Sequence, residues 1–434
     1  MTSTRTNDSA ARGGRRGWTA RRVALATAVA CLLGATALVP ALAGDQQSDG
    51  GRTAHPASDA VRGRGQLLSV TPLGTLSRDK VRAQLKEGGI DGSAARYGIL
   101  RYRLVYRTVD PSGATTTASG LLVLPDGGGQ RLSYVSETHG TLSTRAYAPS
   151  VGDSLSLGGA YLYAATGHAV AAPDYLGLGR GPGKHPYTDN AAQVTASLDM
   201  LRAGRAATER LGRRLTGDVL VTGFSQGGAV AMALGRELDR GAEPGLRLRA
   251  LAPVSGPYEV EHVEFPALTD GRADGRQAAY YTAYLLVSEN RVHGLYASPS
   301  EAFRPPYDRT IESLFDGEHE EEEIFAKLPA DPAKLLTPRY HRLLRHPSGA
   351  LLRTVRRLDG TCDWAPRVPV RLYAAHGDRV VPDGNTAGCR TALSDRGVRA
   401  EVVDVGDADH FGSYARSVPR IAAWFGSVER RSAD

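Results

Sequence analysis

The chain has 434 residues, 41% of them apolar, with 53 basic and 46 acidic residues. This length suffices for one large core with an insertion or for two smaller domains. Six basic residues and one acid precede residue 23, so the remainder of the chain is nearly neutral. A nucleic-acid-binding surface combines clustered basic residues with interleaved aromatic residues, and no such stretch follows the N-terminus. The sequence therefore does not favour nucleic acid as a partner.

Residues 1–43 have the pattern of an export signal. A basic segment precedes an uncharged apolar run from Val23 to Ala43, which ends in Ala41-Leu42-Ala43. This small-x-small ending is typical of a cleavage site, so we predict a signal peptide and a secreted mature protein. The run is also long enough to span a bilayer, but its glycine, proline and alanine content favours a cleaved signal. Arg21-Arg22 leaves the Sec and twin-arginine routes both open.

The ordered part of the chain alternates strands with helices. Residues 44–64 lack an apolar period, which predicts a flexible leader. Predicted strands cover residues 101–107, 115–124, 132–136, 169–173, 218–222, 247–254, 368–374 and 400–405, and predicted helices cover 158–166, 191–211, 229–238 and about 418–425. Such alternation predicts an α/β class, with a mostly parallel central sheet, helices on both faces, and a ligand site beyond the carboxyl ends of the strands.

Residues 258–366 interrupt this alternation between two core parts, residues 65–257 and 367–434. A segment of this length with helical patches is too long for a loop, so we predict a helical lid. Its apolar residues indicate either an acyl-binding surface or the core of the lid, and transient contact with a lipid interface is a further expectation. These residues are Tyr280, Tyr281, Tyr284, Leu285, Leu286, Phe303 and Tyr307. The acidic run Glu318–Glu323 is interpreted as the start of a lid helix rather than a metal or partner site.

A G-x-S-x-G motif, Gly223-Phe-Ser-Gln-Gly227, lies between a predicted strand and a predicted helix. The pentapeptide alone is weak evidence, since 51 glycines make chance matches common. The strand–turn–helix context, however, is that of a nucleophile elbow, in which a strained turn exposes the serine. We therefore predict Ser225 as a nucleophile, and regard an ordinary glycine-rich turn as the weaker interpretation.

A nucleophilic serine needs a base within hydrogen-bond reach. On this type of sheet the partners follow in the order serine, acid, histidine, each after a strand. Asp378 and His410 follow two successive predicted strands in that order. We predict that His410 accepts the Ser225 proton and returns it to the leaving group, while Asp378 orients the imidazole. The other candidates for the acid are Asp383, Asp407 and Asp409.

Hydrolysis through a tetrahedral intermediate also needs two N–H donors that stabilise the oxyanion. The residue after the nucleophile, Gln226, is expected to provide one of them. The other is expected after the strand at 132–136, where Gly140 allows close approach of the chain. The N–H of Gly140 or of Thr141 is the predicted second donor, and an ordinary turn is the alternative.

Two cysteines, Cys362 and Cys389, follow the predicted signal peptide. An even pair in an exported chain predicts a disulfide, with two separate buried thiols as the alternative. The sequence contains no Cys/His cluster at zinc spacing and no phosphate-binding glycine loop. We therefore predict neither a metal nor a cofactor.

From about residue 67 onwards the chain resembles secreted bacterial α/β-hydrolases of the secretory-lipase-like or esterase-like kind. The resemblance rests on His139-Gly-Thr141, Ala172–Gly179, His185-Pro-Tyr187, Asp199–Ala203, Gly223–Gly228, the Asp378 turn and His410. It implies the α/β-hydrolase fold and hydrolysis of acyl esters beneath a helical lid, without a cofactor. Asp174 and Tyr175 are interpreted either as part of the pocket mouth or as packing residues.

The leading hypothesis is a lipase or esterase that cleaves a small-molecule or lipid ester through an acyl-enzyme. A serine exopeptidase of the prolyl aminopeptidase type is the alternative, with Glu259, Glu261 and Glu264 as candidate anchors for a substrate amine. A hydrolase-fold binding protein without turnover is a hypothesis of a different class. The sequence leaves acyl-chain length and oligomeric state open.

Overall fold

The computed structural model describes residues 63–152 and 157–433, which lie in the compact unit Ala54–Asp434. The predicted signal peptide and the predicted leader up to residue 62 lie outside the described residues. Within these two ranges, no helix combines the length and the hydropathy needed to cross a membrane.

Nine strands form one sheet. They are β1 (Leu67–Leu76), β2 (Gly98–Val109), β3 (Thr115–Asp126), β4 (Arg131–Thr138), β5 (Ala169–Pro173), β6 (Arg214–Phe224), β7 (Arg247–Val254), β8 (Arg371–Ala374) and β9 (Glu401–Asp404). Their order across the sheet is β1-β2-β3-β5-β4-β6-β7-β8-β9. The pairings from β1 to β5 are antiparallel, and all those from β5 to β9 are parallel. This sheet confirms the predicted α/β class and its mostly parallel arrangement.

Most helices connect these strands or form the segment between β7 and β8, and the last helix follows β9. They are α1 (Arg78–Glu87), α2 (Gly158–Ala165), α3 (Asn190–Arg210), α4 (Gln226–Asp239), α5 (Phe265–Thr269), α6 (Gly275–His293), α7 (Pro299–Ala302), α8 (Ile311–Leu314), α9 (Glu321–Lys327), α10 (Pro332–Leu335), α11 (Pro338–Arg345), α12 (Gly349–Leu358), α13 (Gly384–Ser394) and α14 (His410–Ala433). Several begin at a side-chain cap, as in α3, where Asp189 accepts a hydrogen bond from the Ala192 N–H. Such a cap satisfies a donor that the first helical turn leaves unpaired.

Two hydrophobic clusters cover the two faces of the sheet, as the prediction of helices on both faces requires. Successive residues of a strand point to opposite faces, and on β3 Leu122 and Leu124 join one cluster while Leu121 and Val123 join the other. Helices α3 and α4 complete the first cluster, and α1, α2 and α14 complete the second. Because parallel strands are buried on both faces, all five residues of β5 are buried.

The helices α5 to α12 lie between β7 and β8 and have a hydrophobic cluster of their own. Most of the predicted aromatic cluster belongs to this core, including Tyr280, Tyr284 and Phe303. The acidic run overlaps the start of α9, whose first turn contains Glu321 to Glu323. We refer to residues 258–366 as the helical insertion; its function as a lid stays a prediction.

The structure differs from the predicted elements at both ends of the core. β1 and α1 precede the first predicted strand, and α14 begins at His410 rather than near Val418. Small and polar residues obscure the apolar period at the start of α14, where the Ser413 and Ser417 hydroxyls donate to carbonyls of the preceding turn. The predicted start of this helix was therefore wrong, because its first two turns lack the amphipathic pattern.

Cys362 and Cys389 form a disulfide, with Cα atoms 5.3 Å apart and 27 residues apart in the sequence. The bond joins the end of the helical insertion to α13, the helix that follows the Asp378 turn. A closed loop of this length stabilises the fold by about 3 kcal/mol in the loop-entropy treatment. It therefore fixes the point at which the chain returns to the sheet.

Candidate active site

Ser225 lies in the sharp turn between β6 and α4. Its backbone has φ 57° and ψ −127°, a conformation that residues other than glycine rarely adopt. Two backbone hydrogen bonds hold the turn: the Ser225 N–H donates to the Val254 carbonyl (2.9 Å), and the Gly228 N–H donates to the Ser225 carbonyl (2.7 Å). Strain of this kind persists where the surrounding structure fixes it, and such positions cluster at functional sites.

The two glycines of the motif are required by close contacts between the turn and β4. A Cβ atom at Gly223 would lie 2.0 Å from Thr138 Oγ1, and one at Gly227 would lie 2.1 Å from the Thr138 carbonyl oxygen. Real Cβ contacts are never this short, and at Gly227 the obstacle is backbone. The glycine spacing predicted from the sequence therefore has a steric cause in the packing of the turn on β4.

The structure brings Ser225, His410 and Asp378 together in one hydrogen-bonded chain. Each follows the carboxyl end of a parallel strand, β6, β9 and β8 respectively. The Ser225 Oγ–H donates to His410 Nε2 (2.9 Å), and the His410 Nδ1–H donates to Asp378 Oδ2 (2.7 Å). All three residues are buried. A base with its outer nitrogen on a hydroxyl and its inner nitrogen on a carboxylate can activate that hydroxyl as a nucleophile.

The Asp378 carboxylate is itself held by the backbone of its own turn. Its Oδ1 accepts hydrogen bonds from the N–H groups of Val380 (2.9 Å) and Val381 (3.0 Å). The three rival acids, Asp383, Asp407 and Asp409, are exposed. Among the described residues, the ion pair of His410 is with Asp378. Asp378 is therefore the carboxylate that is hydrogen-bonded to the His410 imidazole, and its catalytic role stays a prediction.

Both predicted oxyanion positions adjoin Ser225. Gln226 is the first residue of α4, so its N–H has no carbonyl acceptor within the helix. On the other side, a Cβ atom at Gly140 would lie only 3.3 Å from the Ser225 Cβ, which shows how closely this loop approaches the serine. Thr141 and Gln226 both line the cavity described below. Their use as oxyanion donors stays a prediction.

Three tyrosine hydroxyls hold the loop that carries Gly140 and Thr141. Two of these tyrosines lie in the first core part of the chain, residues 65–257, and the third lies on α6 of the helical insertion. The contacts are Tyr175 Oη to the His139 carbonyl (3.2 Å), Tyr187 Oη to Thr141 Oγ1 (3.0 Å) and Tyr284 Oη to the Leu142 carbonyl (3.0 Å). These contacts could not be predicted from the sequence, because each joins segments far apart in the chain.

Asp174 and Tyr175 pack the core rather than line the cavity. Both are fully buried, and the Asp174 carboxylate accepts hydrogen bonds from the hydroxyls of Ser119 and Ser150, each 2.5 Å long. His139 is also buried, which lowers its pKa to about 4 and keeps its imidazole neutral at pH 7. Of the two interpretations of Asp174 and Tyr175, the packing role is the one that their burial supports.

A mostly apolar cavity opens at Ser225 and contains about 700 Å³ of space, part of it open to solvent. Core residues form one side and residues of the helical insertion form the other. The lining residues are Thr141, Tyr187, Thr188, Asn190, Ser225, Gln226, Ala229, Pro257, Val260, Glu264, Phe265, Leu268, Tyr281, Leu285, Leu358, Val380 and Val381. Of the apolar cluster predicted in the insertion, Tyr281 and Leu285 line the cavity, whereas Tyr280, Tyr284 and Phe303 are buried in the insertion core.

One of the three predicted anchor acids, Glu264, lines this cavity, whereas Glu259 and Glu261 do not. The Asn385 side-chain amide donates to Glu264 Oε1 at 2.5 Å. Burial, with a further contribution from the negative charge of Asp378, raises the pKa of Glu264 to about 8. Sequence reasoning missed Asn385, because an asparagine in the first turn of α13 carries no signal of such a contact.

Within the described ranges, no group of three or more His, Cys, Asp or Glu residues is arranged to hold a metal ion.

The alpha/beta hydrolase family model matches residues 138–423, and the chain belongs to this family. Among solved structures, a protein of Legionella pneumophila described as a hydrolase is 27% identical, with a TM-score of 0.76 over 84% of this chain and 98% of that one. The rice cell wall degrading esterase LipA from Xanthomonas oryzae is 26% identical, with a TM-score of 0.74 over 83% of this chain and 97% of that one.

Candida antarctica lipase A is 14% identical, with a TM-score of 0.58 over 81% of this chain and 79% of that one, a likeness that concerns the fold alone. No curated protein shows significant sequence similarity to the chain. The family match and the Legionella and Xanthomonas structures confirm the predicted resemblance to esterase-like α/β-hydrolases.

Proposed function

We propose that this protein is a serine-dependent carboxylic ester hydrolase in which Ser225 is the nucleophile, His410 the general base and acid, and Asp378 the orienting carboxylate. The observation that carries the proposal is the buried hydrogen-bonded chain from Ser225 Oγ through His410 to Asp378, beside an apolar cavity. The likeness to the esterase LipA supports an ester as the substrate.

The reaction has two halves. In the first, Ser225 Oγ bonds to the ester carbonyl carbon while His410 Nε2 takes its proton, and the oxyanion receives hydrogen bonds from the Gln226 N–H and from the N–H of Gly140 or Thr141. Collapse of this intermediate breaks the bond to the alkoxide, which leaves as an alcohol with the proton from His410. Water then attacks the acyl-enzyme with His410 as base, which releases the carboxylic acid and restores Ser225.

The helical insertion is proposed to act as a lid, because its residues Phe265, Leu268 and Leu285 form one side of the cavity. Lid opening would then control access of the ester to Ser225. We also propose that the protein is secreted after removal of residues 1–43; the disulfide between Cys362 and Cys389 supports export into an oxidising compartment.

The cavity offers less support for an exopeptidase. Aminopeptidase sites hold a free ammonium group by negative charge, and here one candidate acid, Glu264, lines the cavity. Its raised pKa keeps it largely neutral at pH 7. The Glu264 carboxyl group would have to ionise before it could pair with an ammonium group, which costs free energy at pH 7. The ester hydrolase is therefore the better fit.

Turnover of p-nitrophenyl esters of increasing acyl length, compared with turnover of aminoacyl anilides, tests the proposal. We expect hydrolysis of the esters by the wild type, its loss in Ser225→Ala, and wild-type rates in Ser300→Ala, which removes an exposed serine of the helical insertion. Anilide turnover without ester turnover would contradict the proposal, as would ester turnover that survives in Ser225→Ala.

A further inference from the structure

Glu264 is an unusual residue for an apolar cavity. Its neighbours along the wall include Val260, Phe265, Leu268 and Leu358, which have no charge. Burying a carboxyl group in such surroundings is unfavourable unless it has a hydrogen-bond partner. The Glu264 side chain therefore needs an explanation beyond packing.

The carboxyl group is held in place from behind by Asn385, which is fully buried. The Asn385 Nδ2 donates to Glu264 Oε1 (2.5 Å) and to the Pro382 carbonyl (3.1 Å), while its Oδ1 accepts from the Glu259 N–H (3.0 Å). An amide bonded at both ends in this way is rigid, so it fixes the position of the carboxyl group. Rigid support by a buried neighbour is what a binding residue requires.

Only one oxygen of Glu264 is engaged by this arrangement. Among the described residues, Oε2 has no hydrogen-bond partner, and no lysine or arginine lies within ion-pair distance of the carboxyl group. Among the charged groups that act on this carboxyl group, Asp378 and Asp359 favour its protonated form, whereas Arg272 favours the ionised form, with an effect smaller than that of Asp378. Oε2 is therefore a free position that can donate a hydrogen bond towards the cavity.

We propose that Glu264 is a specificity-determining residue that binds, as a neutral carboxylic acid, a hydroxyl or carbonyl group carried by an otherwise apolar ester substrate. The inference rests on the proposed ester hydrolase function and names a substrate class for it. The apolar wall takes up the hydrocarbon part of the ester, and Oε2 binds its one polar group. Oε1 stays bonded to Asn385 throughout.

The proposal distinguishes a neutral polar group from an ammonium group. A neutral carboxylic acid has an O–H donor, so it can donate a hydrogen bond to a ketone oxygen as readily as to a hydroxyl oxygen. An ionised carboxylate has no proton to donate, so it would reject the ketone and prefer the ammonium group. Substrates that differ only in this group therefore report the state of Glu264 in the complex.

The experiment measures kcat/KM for four matched sets of ethyl esters in the full-length protein: ω-hydroxy, oxo and ω-ammonium alkanoates, and alkanoates with a methyl group in place of the polar one. Chain length is varied, and a second series carries the same groups on the alcohol side. We expect hydroxyl and ketone esters of one chain length to exceed their methyl counterpart by about tenfold. Ammonium esters should gain nothing.

Three variants distinguish a role of Glu264 in substrate recognition from a role in the stability of the fold. Glu264→Gln keeps an oxygen for Asn385 and an N–H₂ donor, so it should retain the preference within about threefold, whereas Glu264→Met should reduce the ratio to about one. Glu261→Gln is the matched control, because Glu261 is an acid of the helical insertion that does not line the cavity. This variant should keep the wild-type ratio of kcat/KM between polar and methyl esters. If Glu264→Met fails to fold, the substrate preferences of the wild type and of Glu264→Gln still test the proposed role of Glu264.

Three results would overturn the inference: no preference for a polar ester in either series, a preference for ammonium esters that Glu264→Gln removes, or an unchanged ratio in Glu264→Met. Each of these leaves Ser225-dependent hydrolysis of simple alkyl esters intact. Failure of the proposed function is different, since the wild type would then hydrolyse none of the esters.

Discussion

The hydroxyl of Tyr284, on helix α6 of the helical insertion, donates a hydrogen bond to the carbonyl of Leu142 (3.0 Å) in the loop beside Ser225. The same loop contains Gly140 and Thr141, the expected source of the second oxyanion donor. The ring of Tyr284 also stacks on Tyr187, with ring centroids 4.1 Å apart. A residue of the insertion thus supports the backbone that the proposed mechanism uses.

Tyr284→Phe should therefore reduce turnover although Tyr284 does not line the cavity. Loss of the hydrogen bond leaves the Leu142 carbonyl unpaired and loosens the loop, which we expect to lower kcat by about tenfold with little change in KM. Steady-state kinetics measures the change in kcat and KM, and thermal unfolding measures any change in stability. Tyr340→Phe, which removes a buried hydroxyl bonded to Leu295 inside the insertion, is the control. Equal kinetics in both variants would show that Tyr284 acts only through stability.

The elbow glycines should differ sharply from other glycines in their tolerance of alanine. Gly227→Ala places a Cβ 2.1 Å from a backbone oxygen, so we expect a loss of stability of about 3 kcal/mol or more together with loss of activity. Gly129→Ala, where the nearest atom lies at 3.7 Å, should unfold like the wild type. Denaturant unfolding of the two variants checks this. A stable and active Gly227→Ala protein would refute the steric account of the motif.

The assignment of the acid can be tested by two isosteric substitutions. Asp378→Asn removes the charge that stabilises the His410 imidazolium and disturbs its tautomer, so kcat should fall by about 10⁴. Asp383→Asn changes an exposed residue at the start of α13 and should leave kcat unchanged. Ester hydrolysis by both purified variants is the measurement. The reverse order of effects would mean that Asp383 is the acid.

Stability should depend on pH through Glu137, a buried residue at the end of β4. Burial raises the pKa of Glu137 to about 8, and the Tyr414 hydroxyl donates to its Oε1 (2.8 Å). The folded state therefore binds a proton that the unfolded state loses near its ordinary pKa of about 4.3. The contribution of Glu137 to the free energy of unfolding is therefore fully present below about pH 4.3. It declines as the pH rises and is lost above about pH 8.

Glu137→Gln imitates the protonated side chain and should remove this decline. Between pH 5 and pH 8 we expect the wild type to lose stability relative to the variant, by an amount on the order of a few kcal/mol. Urea unfolding at several pH values measures the difference. Parallel pH profiles for the two proteins would contradict the expected protonation of Glu137.

The sequence predicts the parts of this molecule that depend on short stretches of chain. The Ser225 elbow follows from a strand, two glycines and a helix, and Asp378 and His410 follow from their positions after successive strands. The start of α14 was misplaced because Ser413 and Ser417 dilute its apolar period. Local periodicity is the main signal of secondary structure, so an element without it is missed.

Contacts between distant segments could not be predicted. Asn385 meets Glu264 across 121 residues, and Tyr284 meets Leu142 across 142 residues. Neither pair has a spacing or a motif that relates its members. They come together because the helical insertion folds back over the strand ends, and that placement is a property of tertiary packing. Glu264 could be named from the sequence as a candidate, but its contact with Asn385 could not be predicted.

The most direct test of the central claim is covalent labelling with a fluorophosphonate, followed by mass spectrometry of the labelled peptide. We expect stoichiometric modification at Ser225, none in Ser225→Ala, and labelling slowed by at least about a hundredfold in His410→Ala, because the base activates the hydroxyl. Absence of labelling in the folded wild-type protein, or modification of a different serine, would contradict the assignment of Ser225 as an activated nucleophile.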